Sequence, residues 1–201
     1  FTPDFSGLCA GSRHNRTPGR KRHRLLNERL SPMDTTLLLP TRSGIDVLVR
    51  PATEADEAAL VDFFDRVSDE DRRFRFFSAG ARVNHRQLEP LIHADHYRSE
   101  SFLGFDAASG KLIGSALLAC DAAMDTAEIA VSVCSDYRGK GVGWALLDFV
   151  SREAERRGVR RAIAIEAREN HAAIELEREK GFAPEAFDGD PTLVVLAKTF
   201  R

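Results

Sequence analysis

The chain has 201 residues, of which 43% are hydrophobic and 30% are charged. This length and composition are typical of a soluble protein with one main domain, with or without an appendage, and a real hydrophobic core. No apolar run approaches the roughly 20 residues that a membrane-spanning helix needs. We therefore expect no transmembrane segment and no membrane partner.

The cysteines predict a reduced environment. Cys9, Cys120 and Cys134 are odd in number and lack the spacing of a metal-binding motif. Cys120 and Cys134 lie in apolar, strand-like runs, where a buried and unreactive thiol is expected. We therefore expect a cytoplasmic protein with no bound metal.

The N-terminal 32 residues differ from the rest of the chain in charge. They hold seven Lys/Arg and two Asp/Glu, a net charge of +5, whereas residues 33–201 hold 22 and 29, a net charge of −7. Without apolar periodicity, residues 1–32 are expected to be disordered, outside a single folded domain of residues 33–201. They are either a basic arm for an anionic surface or nucleic acid, or absent from a natural product that begins at Met33. We favour the Met33 start and expect no nucleic-acid partner.

Strands and helices alternate along residues 33–201 in an order that predicts an α/β fold. A strand at residues 45–50 precedes three helices, which begin near Thr53, Ser68 and Asn84. Strands at residues 101–106, 111–120 and 127–133 then lead to a long helix that Gly158 stops. The remaining elements are a strand at residues 161–167, a helix at 170–180, and strands at 182–187 and 193–199.

The segment Asp136-Tyr137-Arg138-Gly139-Lys140-Gly141-Val142-Gly143 lies between a predicted strand and the long helix. Glycine tolerates positive φ, and the N–H groups of such a turn and of a helix N-terminus attract anions. A dinucleotide fold would place this loop after the first strand, whereas several strands precede it here. A Walker loop would end in Gly-Lys-Ser/Thr, and residues 143–145 read Gly-Trp-Ala. The segment indicates a phosphate-binding loop of another kind, or a glycine turn that only packs tightly.

Two motifs resemble those of the GNAT superfamily of N-acetyltransferases. Val131-x-Val133, the glycine segment and Leu146-Leu147 resemble its acyl-CoA signature, and residues 170–182, with Asn170 and Gly181-Phe182, resemble its second motif. Residues 75–77 (Arg-Phe-Phe), 95–98 and 127–131 are also similar to the acetyltransferase domain of bacterial protein lysine acetyltransferases, which acetylate proteins such as acyl-CoA synthetases. The resemblance implies a GNAT-like α/β fold. Its mixed, mostly antiparallel sheet would have about seven strands, flanked by helices and splayed at the acyl-CoA site.

The resemblance also implies a binding site for acetyl-CoA. The backbone N–H groups of the loop would hold its pyrophosphate, and the Arg138 side chain would add charge-assisted hydrogen bonds. The pantetheine arm would insert between residues 127–133, which include Val131 and Val133, and residues 161–167. Asn170 would reach the amide-bearing arm, although its position also suits a helix cap. The predicted donor-binding residues are Val131, Val133, Arg138, Gly139, Lys140, Gly141, Val142, Gly143 and Asn170.

Glu128 is the candidate catalytic residue. A lysine amine, with an ordinary pKa of about 10.4, must lose a proton before it attacks a thioester, and a nearby carboxylate can take that proton. Glu128 is the sole acid in its strand and matches the catalytic glutamate position of the lysine acetyltransferases. Its alternative is a surface residue on an edge strand, and Glu166 on the facing strand is the second candidate base.

The second motif departs from the GNAT pattern in one respect. Many of these enzymes have a tyrosine there that protonates the leaving thiolate, whereas here Leu176 is followed by Glu177 and no tyrosine occurs after Tyr137. With a thiol pKa near 8.5, the thiolate can also leave without a dedicated acid.

Three hypotheses for function remain. The first is an acetyl-CoA-dependent N-acetyltransferase acting on a primary amine, in particular a protein lysine, as a monomer or homodimer. The second is acetylation of a small amine such as a polyamine, amino acid or aminoglycoside. The third, suggested by the missing tyrosine, is a non-catalytic acyl-CoA sensor.

Overall fold

The computed structural model of the protein describes residues 36–77, 82–185 and 189–200. The expectations for residues 1–32, including Cys9, lie outside these ranges. The described strands are β1 (Leu37–Pro40), β2 (Asp46–Pro51), β3 (Ser99–Asp106), β4 (Leu112–Cys120), β5 (Thr126–Val133), β6 (Arg161–Ala167), β7 (Ala183–Glu185) and β8 (Leu193–Thr199). The described α-helices are α1 (Glu57–Asp65), α2 (Asp69–Phe76), α3 (His85–Ile92), α4 (Val142–Arg156) and α5 (His171–Glu179).

The strands form one sheet in the order β1-β2-β3-β4-β5-β6-β8-β7. Strands β5 and β6 pair in parallel, and every other neighbouring pair is antiparallel. The predicted mixed, mostly antiparallel sheet is therefore confirmed, with β1 as an eighth strand. Strand β1 gave no sequence signal because it is a short edge strand, in which Leu37 and Leu38 are 43% and 55% exposed.

Helices cover both faces of the sheet and bury two hydrophobic clusters. On one face, α4 packs against alternate residues of β5, including Ala127 and Ile129, and α5 packs against α4 and β8. On the other face, α1, α2 and α3 pack around Phe63, Phe64 and Leu88, which are fully buried. Since successive strand residues point to opposite faces, the even-numbered residues of β5 face α1 to α3.

Most predicted helix boundaries are confirmed by capping interactions. Ser68 Oγ accepts a hydrogen bond from the Asp71 N–H at 3.1 Å, and Asn84 caps α3 in the same way. Gly158, with φ of 83°, follows the end of α4 as predicted. Strand β7 is shorter than the predicted 182–187, because it begins at Ala183 and residues beyond Glu185 lie outside the described range.

Cys120 and Cys134 are free thiols with 2% of their surface exposed, as predicted. Burial raises the pKa of both thiols, which disfavours the reactive thiolate. Within the described ranges, no helix combines the length and apolarity required to cross a bilayer. In the same ranges, no three His, Cys, Asp or Glu side chains converge as they would around a metal ion.

Candidate active site

The loop between β5 and α4 presents a run of N–H groups without acceptors. Gly139 and Gly141 have φ of 69° and 79°, the left-handed region in which glycine is favoured. From Gly139 to Trp144, no N–H group donates to an acceptor in the described part of the chain, and the first helical bond runs from Ala145 N to Gly141 O at 3.0 Å. The positive end of the α4 dipole lies at the same place. These free donors have the character of an anion-binding cradle.

A short segment after β1 supports this loop from outside. Ser43 Oγ donates to the Lys140 carbonyl oxygen at 2.6 Å, and the Arg42 guanidinium stacks over the Trp144 ring at 4.6 Å. A Cβ atom added at Gly141 would lie 3.4 Å from Thr41 Cβ. This support was not predicted, since residues 41–44 carry no motif and lie about a hundred positions from the loop.

The side chains of the loop reach towards the face covered by α1 to α3. Arg138 Nη1 lies 3.1 Å from Asp71 Oδ2 on α2. Two residues further along α2, Arg73 Nη2 lies 3.3 Å from Glu169 Oε2 in the β6–α5 loop. Helix α2 therefore contacts both the glycine loop, through Asp71, and the β6–α5 loop, through Arg73. The Lys140 ammonium lies 5.2 Å from the centre of the Tyr137 ring.

Strands β5 and β6 separate beside the loop. Their parallel pairing runs from Thr126 opposite Arg161 to Glu128 opposite Ile163 and then ends. Val131 and Val133 pair with β4 but have no partner on β6. A Cβ atom added at Gly143 would lie 3.5 Å from Val133 Cγ2 and 3.4 Å from Leu176 Cδ2, so α4, β5 and α5 converge at this opening. The predicted splay between residues 127–133 and 161–167 is present.

Glu128 is the last residue of β5 that pairs with β6, and it is half-buried. Strand β5 is the fifth of eight in the sheet, which excludes the alternative of an edge-strand surface residue. By strand alternation its side chain faces α2. Burial raises the pKa of Glu128, and the nearby positive charge of Arg75 on α2 opposes this rise. A carboxylate with a raised pKa beside an opening in the sheet is suited to accept a proton.

Glu166 lies on β6 beyond the last residue that pairs with β5 and is less suited to that role. Asn170 Nδ2 donates to Glu166 Oε2 at 2.7 Å. Burial raises the pKa of Glu166, whereas the neighbouring side chains of Asn170 and Glu177 oppose that rise. By alternation, Glu166 shares the face of Ala162 and Ala164, opposite that of Glu128. Asn170 already occupies this carboxylate, whereas Glu128 accepts no hydrogen bond from the described part of the chain.

Asn170 combines two contacts at the start of α5. Its Oδ1 accepts a hydrogen bond from the Ala173 N–H at 3.3 Å, which is the helix-cap interaction that the sequence allowed. Its Nδ2 is engaged with Glu166. The cap fixes Asn170 at the mouth of the opening.

Sequence reasoning missed how the acidic and basic groups around the opening are connected. Arg75 was identified only as part of a resemblance and Glu177 only as a departure from a motif, and Asp71 was given no role. Their distances depend on how α2 and α5 lie across the sheet, which no local spacing specifies.

Comparison with known proteins agrees with this geometry. The profile of the Acetyltransferase (GNAT) family matches residues 61–182. The chain belongs to the GNAT family of acetyltransferases. It is 28% identical over 154 residues to the acetyltransferase PA5475 of Pseudomonas aeruginosa, an alignment that covers 76% of this chain and 83% of that protein.

Two solved structures place the fold in the same family. The GNAT domain of S. lividans PAT has a TM-score of 0.76 and 26% sequence identity, covering 82% of this chain and 97% of that one. A GNAT-family acetyltransferase of Streptococcus pneumoniae has a TM-score of 0.62 and 22% identity, covering 77% and 99%, and shows the fold alone. Proteins of this family use acetyl-CoA as the acetyl donor, and the free N–H groups from Gly139 to Trp144 fit its pyrophosphate.

Proposed function

We propose that this GNAT protein transfers the acetyl group of acetyl-CoA to the ε-amine of a protein lysine, with Glu128 as the base. The observation that carries the proposal is the position of Glu128. Its half-buried carboxyl lies where β5 and β6 separate, one strand length from the glycine loop. Acetyl-CoA supplies the activated thioester.

The residues of the loop and the opening would hold the donor. The N–H groups of Gly139, Lys140, Gly141, Val142 and Gly143 would donate to the pyrophosphate, with Arg138 adding a charged donor. The unpaired edge of β5 at Val131 and Val133 offers backbone groups for the amide-bearing arm. Asn170 would contact the same arm from the start of α5. These contacts orient the thioester carbon towards Glu128.

Glu128 would prepare the acceptor. A lysine reaches the opening as an ammonium ion, because its ordinary pKa is about 10.4. Glu128, directly or through one water, takes a proton and leaves the neutral amine that can attack. Burial raises the pKa of Glu128 towards that of the lysine amine, so proton transfer from the ammonium to Glu128 becomes less unfavourable. The positive charge of Arg75 opposes the rise in the pKa of Glu128 and so favours its ionised form, which is the form that accepts a proton.

Two observations support a protein lysine as the acceptor. The GNAT domain of S. lividans PAT, a protein acetyltransferase, is similar to this chain in both sequence and fold, with 26% identity and a TM-score of 0.76. Residues 33–201 carry a net charge of −7, which attracts a cationic surface such as a lysine-rich segment. The same negative charge would also attract a small cationic amine, so an acetylation assay must distinguish the two kinds of acceptor.

An assay of thiol release from acetyl-CoA tests the proposal. The acceptors to be compared are small amines, lysine peptides and folded proteins, including an acyl-CoA synthetase. We expect turnover on a protein, with mass spectrometry locating the acetyl group on lysine. Turnover on small amines alone would contradict the acceptor, and tight donor binding without any turnover would support a sensor instead.

The variant Glu128→Gln tests the base in the same assay. We expect kcat to fall by about 10²- to 10⁴-fold with an unchanged dissociation constant for acetyl-CoA, because only proton transfer is lost. Glu155→Gln, an exposed acid on α4, is the matched control. Wild-type turnover in Glu128→Gln would reject Glu128 as the base.

A further inference from the structure

The turn between β1 and β2, residues 41–44, contacts the glycine loop at one of its peptide groups. Ser43 Oγ donates a hydrogen bond to the Lys140 carbonyl oxygen at 2.6 Å, although the two residues are 97 positions apart in the chain. A Cβ atom added at Gly141 would lie 3.4 Å from Thr41 Cβ. The turn therefore lies against the peptide group that joins Lys140 to Gly141.

This contact fixes the direction of the Gly141 N–H group. In a trans peptide, the C=O bond and the following N–H bond point in opposite directions. Because the Lys140 carbonyl oxygen points towards the turn, the Gly141 N–H points away from it, and it meets no acceptor in the described part of the chain. The opening between β5 and β6 lies on that other side of the loop, where a side chain at Gly143 would meet Val133 and Leu176.

The same peptide has an alternative orientation that would not bind an anion. Gly141 has φ of 79° and ψ of 0°, the values of the third residue in a type II turn. In a type I turn the third residue has φ near −90° and the central peptide is rotated by about 180°, and glycine can adopt both forms. After such a rotation, the Lys140 carbonyl oxygen would replace the Gly141 N–H on the side of the opening. A carbonyl oxygen repels a phosphate, so anion binding depends on the orientation of this peptide.

A chain of hydrogen bonds leads to Ser43. The Ile45 N–H donates to Thr41 Oγ1 at 3.0 Å, and Thr41 Oγ1 lies 3.0 Å from Ser43 Oγ. Each hydroxyl has one hydrogen, and that of Ser43 is directed to the Lys140 carbonyl, so the Thr41 hydroxyl donates to Ser43. Consecutive hydrogen bonds polarise one another. The chain therefore strengthens the bond to the Lys140 carbonyl and makes the Gly141 N–H of the same peptide a better donor.

The turn that carries Ser43 is itself held in place. Across the turn, the Thr41 N–H donates to the Ile45 carbonyl oxygen at 2.9 Å. The Arg42 guanidinium stacks over the ring of Trp144, in the first turn of α4, at 4.6 Å. These contacts keep the Ser43 hydroxyl at the loop.

We propose that Ser43 is a positioning residue of the glycine loop. Its hydrogen bond holds the Lys140–Gly141 peptide in the orientation that directs the Gly141 N–H at the pyrophosphate of acetyl-CoA. This inference rests on the proposed binding of acetyl-CoA by the loop. It gives the β1–β2 turn, which lies outside both sequence motifs, a part in the affinity for acetyl-CoA.

Three variants test this role. Ser43→Ala removes the hydrogen bond, Ser43→Thr keeps a hydroxyl, and Ser99→Ala is the matched control. Ser99 Oγ also donates one hydrogen bond and accepts one, both with Asp95, at the end of the sheet away from the loop.

The acetyl donors to be compared are acetyl-CoA, by calorimetry, and S-acetylpantetheine, which lacks the pyrophosphate, by NMR titration. We expect Ser43→Ala to bind acetyl-CoA about three- to tenfold more weakly, the usual effect of one hydrogen bond, and to bind S-acetylpantetheine like wild type. Ser43→Thr and Ser99→Ala should bind both compounds like wild type. In turnover assays, Ser43→Ala should raise the KM for acetyl-CoA and leave kcat unchanged.

A spectroscopic measurement separates the orientation of the peptide from a general loss of order. The NMR shift of the Gly141 amide nitrogen reports the hydrogen bond at the Lys140 carbonyl, because both groups belong to one conjugated peptide. In the ligand-free protein, we expect Ser43→Ala to move this resonance and Ser43→Thr to restore it. Thr41→Val, which removes the hydroxyl that donates to Ser43, should move it less and in the same direction.

The outcomes separate this inference from the proposed function. Wild-type affinity for acetyl-CoA in Ser43→Ala would overturn the inference. Equal weakening of acetyl-CoA and S-acetylpantetheine would overturn it as well, since the loss would then not involve the pyrophosphate. A wild type that binds acetyl-CoA but acetylates no amine would reject the proposed acetyl transfer, whereas the affinities and the Gly141 resonance would still decide the role of Ser43.

Discussion

The guanidinium of Arg138, in the proposed donor loop, lies 3.1 Å from the carboxylate of Asp71 at the start of α2. An anion bound by the loop would compete with Asp71 for this guanidinium. We expect Asp71→Asn to tighten acetyl-CoA binding by up to about fivefold, because half-exposed ion pairs contribute about 0–1 kcal/mol. Isothermal titration calorimetry measures the change.

Glu70→Gln is the control for Asp71→Asn, because it removes a neighbouring exposed charge on α2 that pairs with none of the residues that the structure describes. Asparagine keeps an acceptor for the Ser68 hydroxyl, which donates to Asp71 at 2.7 Å, so the helix start is retained. Unchanged or weaker donor binding in Asp71→Asn would show that Arg138 does not contact the donor.

Arg75 should set the pH range in which the enzyme works. Its positive charge lowers the pKa of Glu128, against a larger upward effect of burial. In Arg75→Gln the pKa of Glu128 rises further, so less of the base is ionised at neutral pH. We expect the acid limb of the kcat profile to move to higher pH, with turnover several-fold slower at neutral pH and recovering as the pH is raised. Arg73→Gln, on the exposed side of α2, should leave the limb in place.

Gly141→Glu should abolish measurable acetyl-CoA binding. The substitution places a carboxylate among the free N–H groups and also strains a residue with φ of 79°. Gly110→Glu is the matched control, since Gly110 has φ of 68° in the β3–β4 turn and open space around it. Both variants should lose similar folding stability by chemical denaturation. Retained donor affinity in Gly141→Glu would refute the assignment of the loop.

The raised pKa of Glu177 predicts a specific pH dependence of stability. Because the folded state holds this proton and the unfolded state releases it, the contribution of Glu177 is greatest below its ordinary pKa and is lost as the pH rises to about 9. Glu177→Gln does not undergo this loss. The free energy of unfolding of the variant should therefore increase relative to that of wild type as the pH rises from acidic to alkaline. Denaturant unfolding across that range measures the difference. For Glu175→Gln we expect no such trend, and a constant difference in Glu177→Gln would mean that Glu177 is ionised in the folded state.

The sequence allowed most of the fold to be predicted because its boundaries use strong local signals. Ser68 and Asn84 cap their helices, Gly158 ends α4, and the nearly continuous apolar run of β4 matches its burial on both faces. Strand β1 escaped prediction because its four residues, Leu-Leu-Leu-Pro, read neither as an alternating strand nor as a helix. Its place in the sheet comes from pairing with β2, which is a tertiary property.

In the candidate site, too, the local features could be predicted from the sequence and the tertiary contacts could not. The glycine loop and Glu128 could be located from residues adjacent in the chain, since a loop that follows a strand and begins a helix is a local feature. The Arg138–Asp71 contact joins residues 67 positions apart, and the Glu166–Glu177 pair depends on the packing of α5 on β6. Such contacts depend on the relative placement of helices, which a sequence pattern does not specify.

The parallel junction between β5 and β6 has a mechanical consequence. It joins β1–β5 to β6–β8 through three residue pairs, Thr126–Arg161, Ala127–Ala162 and Glu128–Ile163. Beyond these three pairs, the packing of the helices sets the distance between the two parts of the sheet. On one face, the ion pairs of α2 with Arg138 and Glu169 contribute as well. The two parts of the sheet are therefore joined through few backbone contacts, and a ligand that bonds to both free edges would act as a missing strand and strengthen that junction.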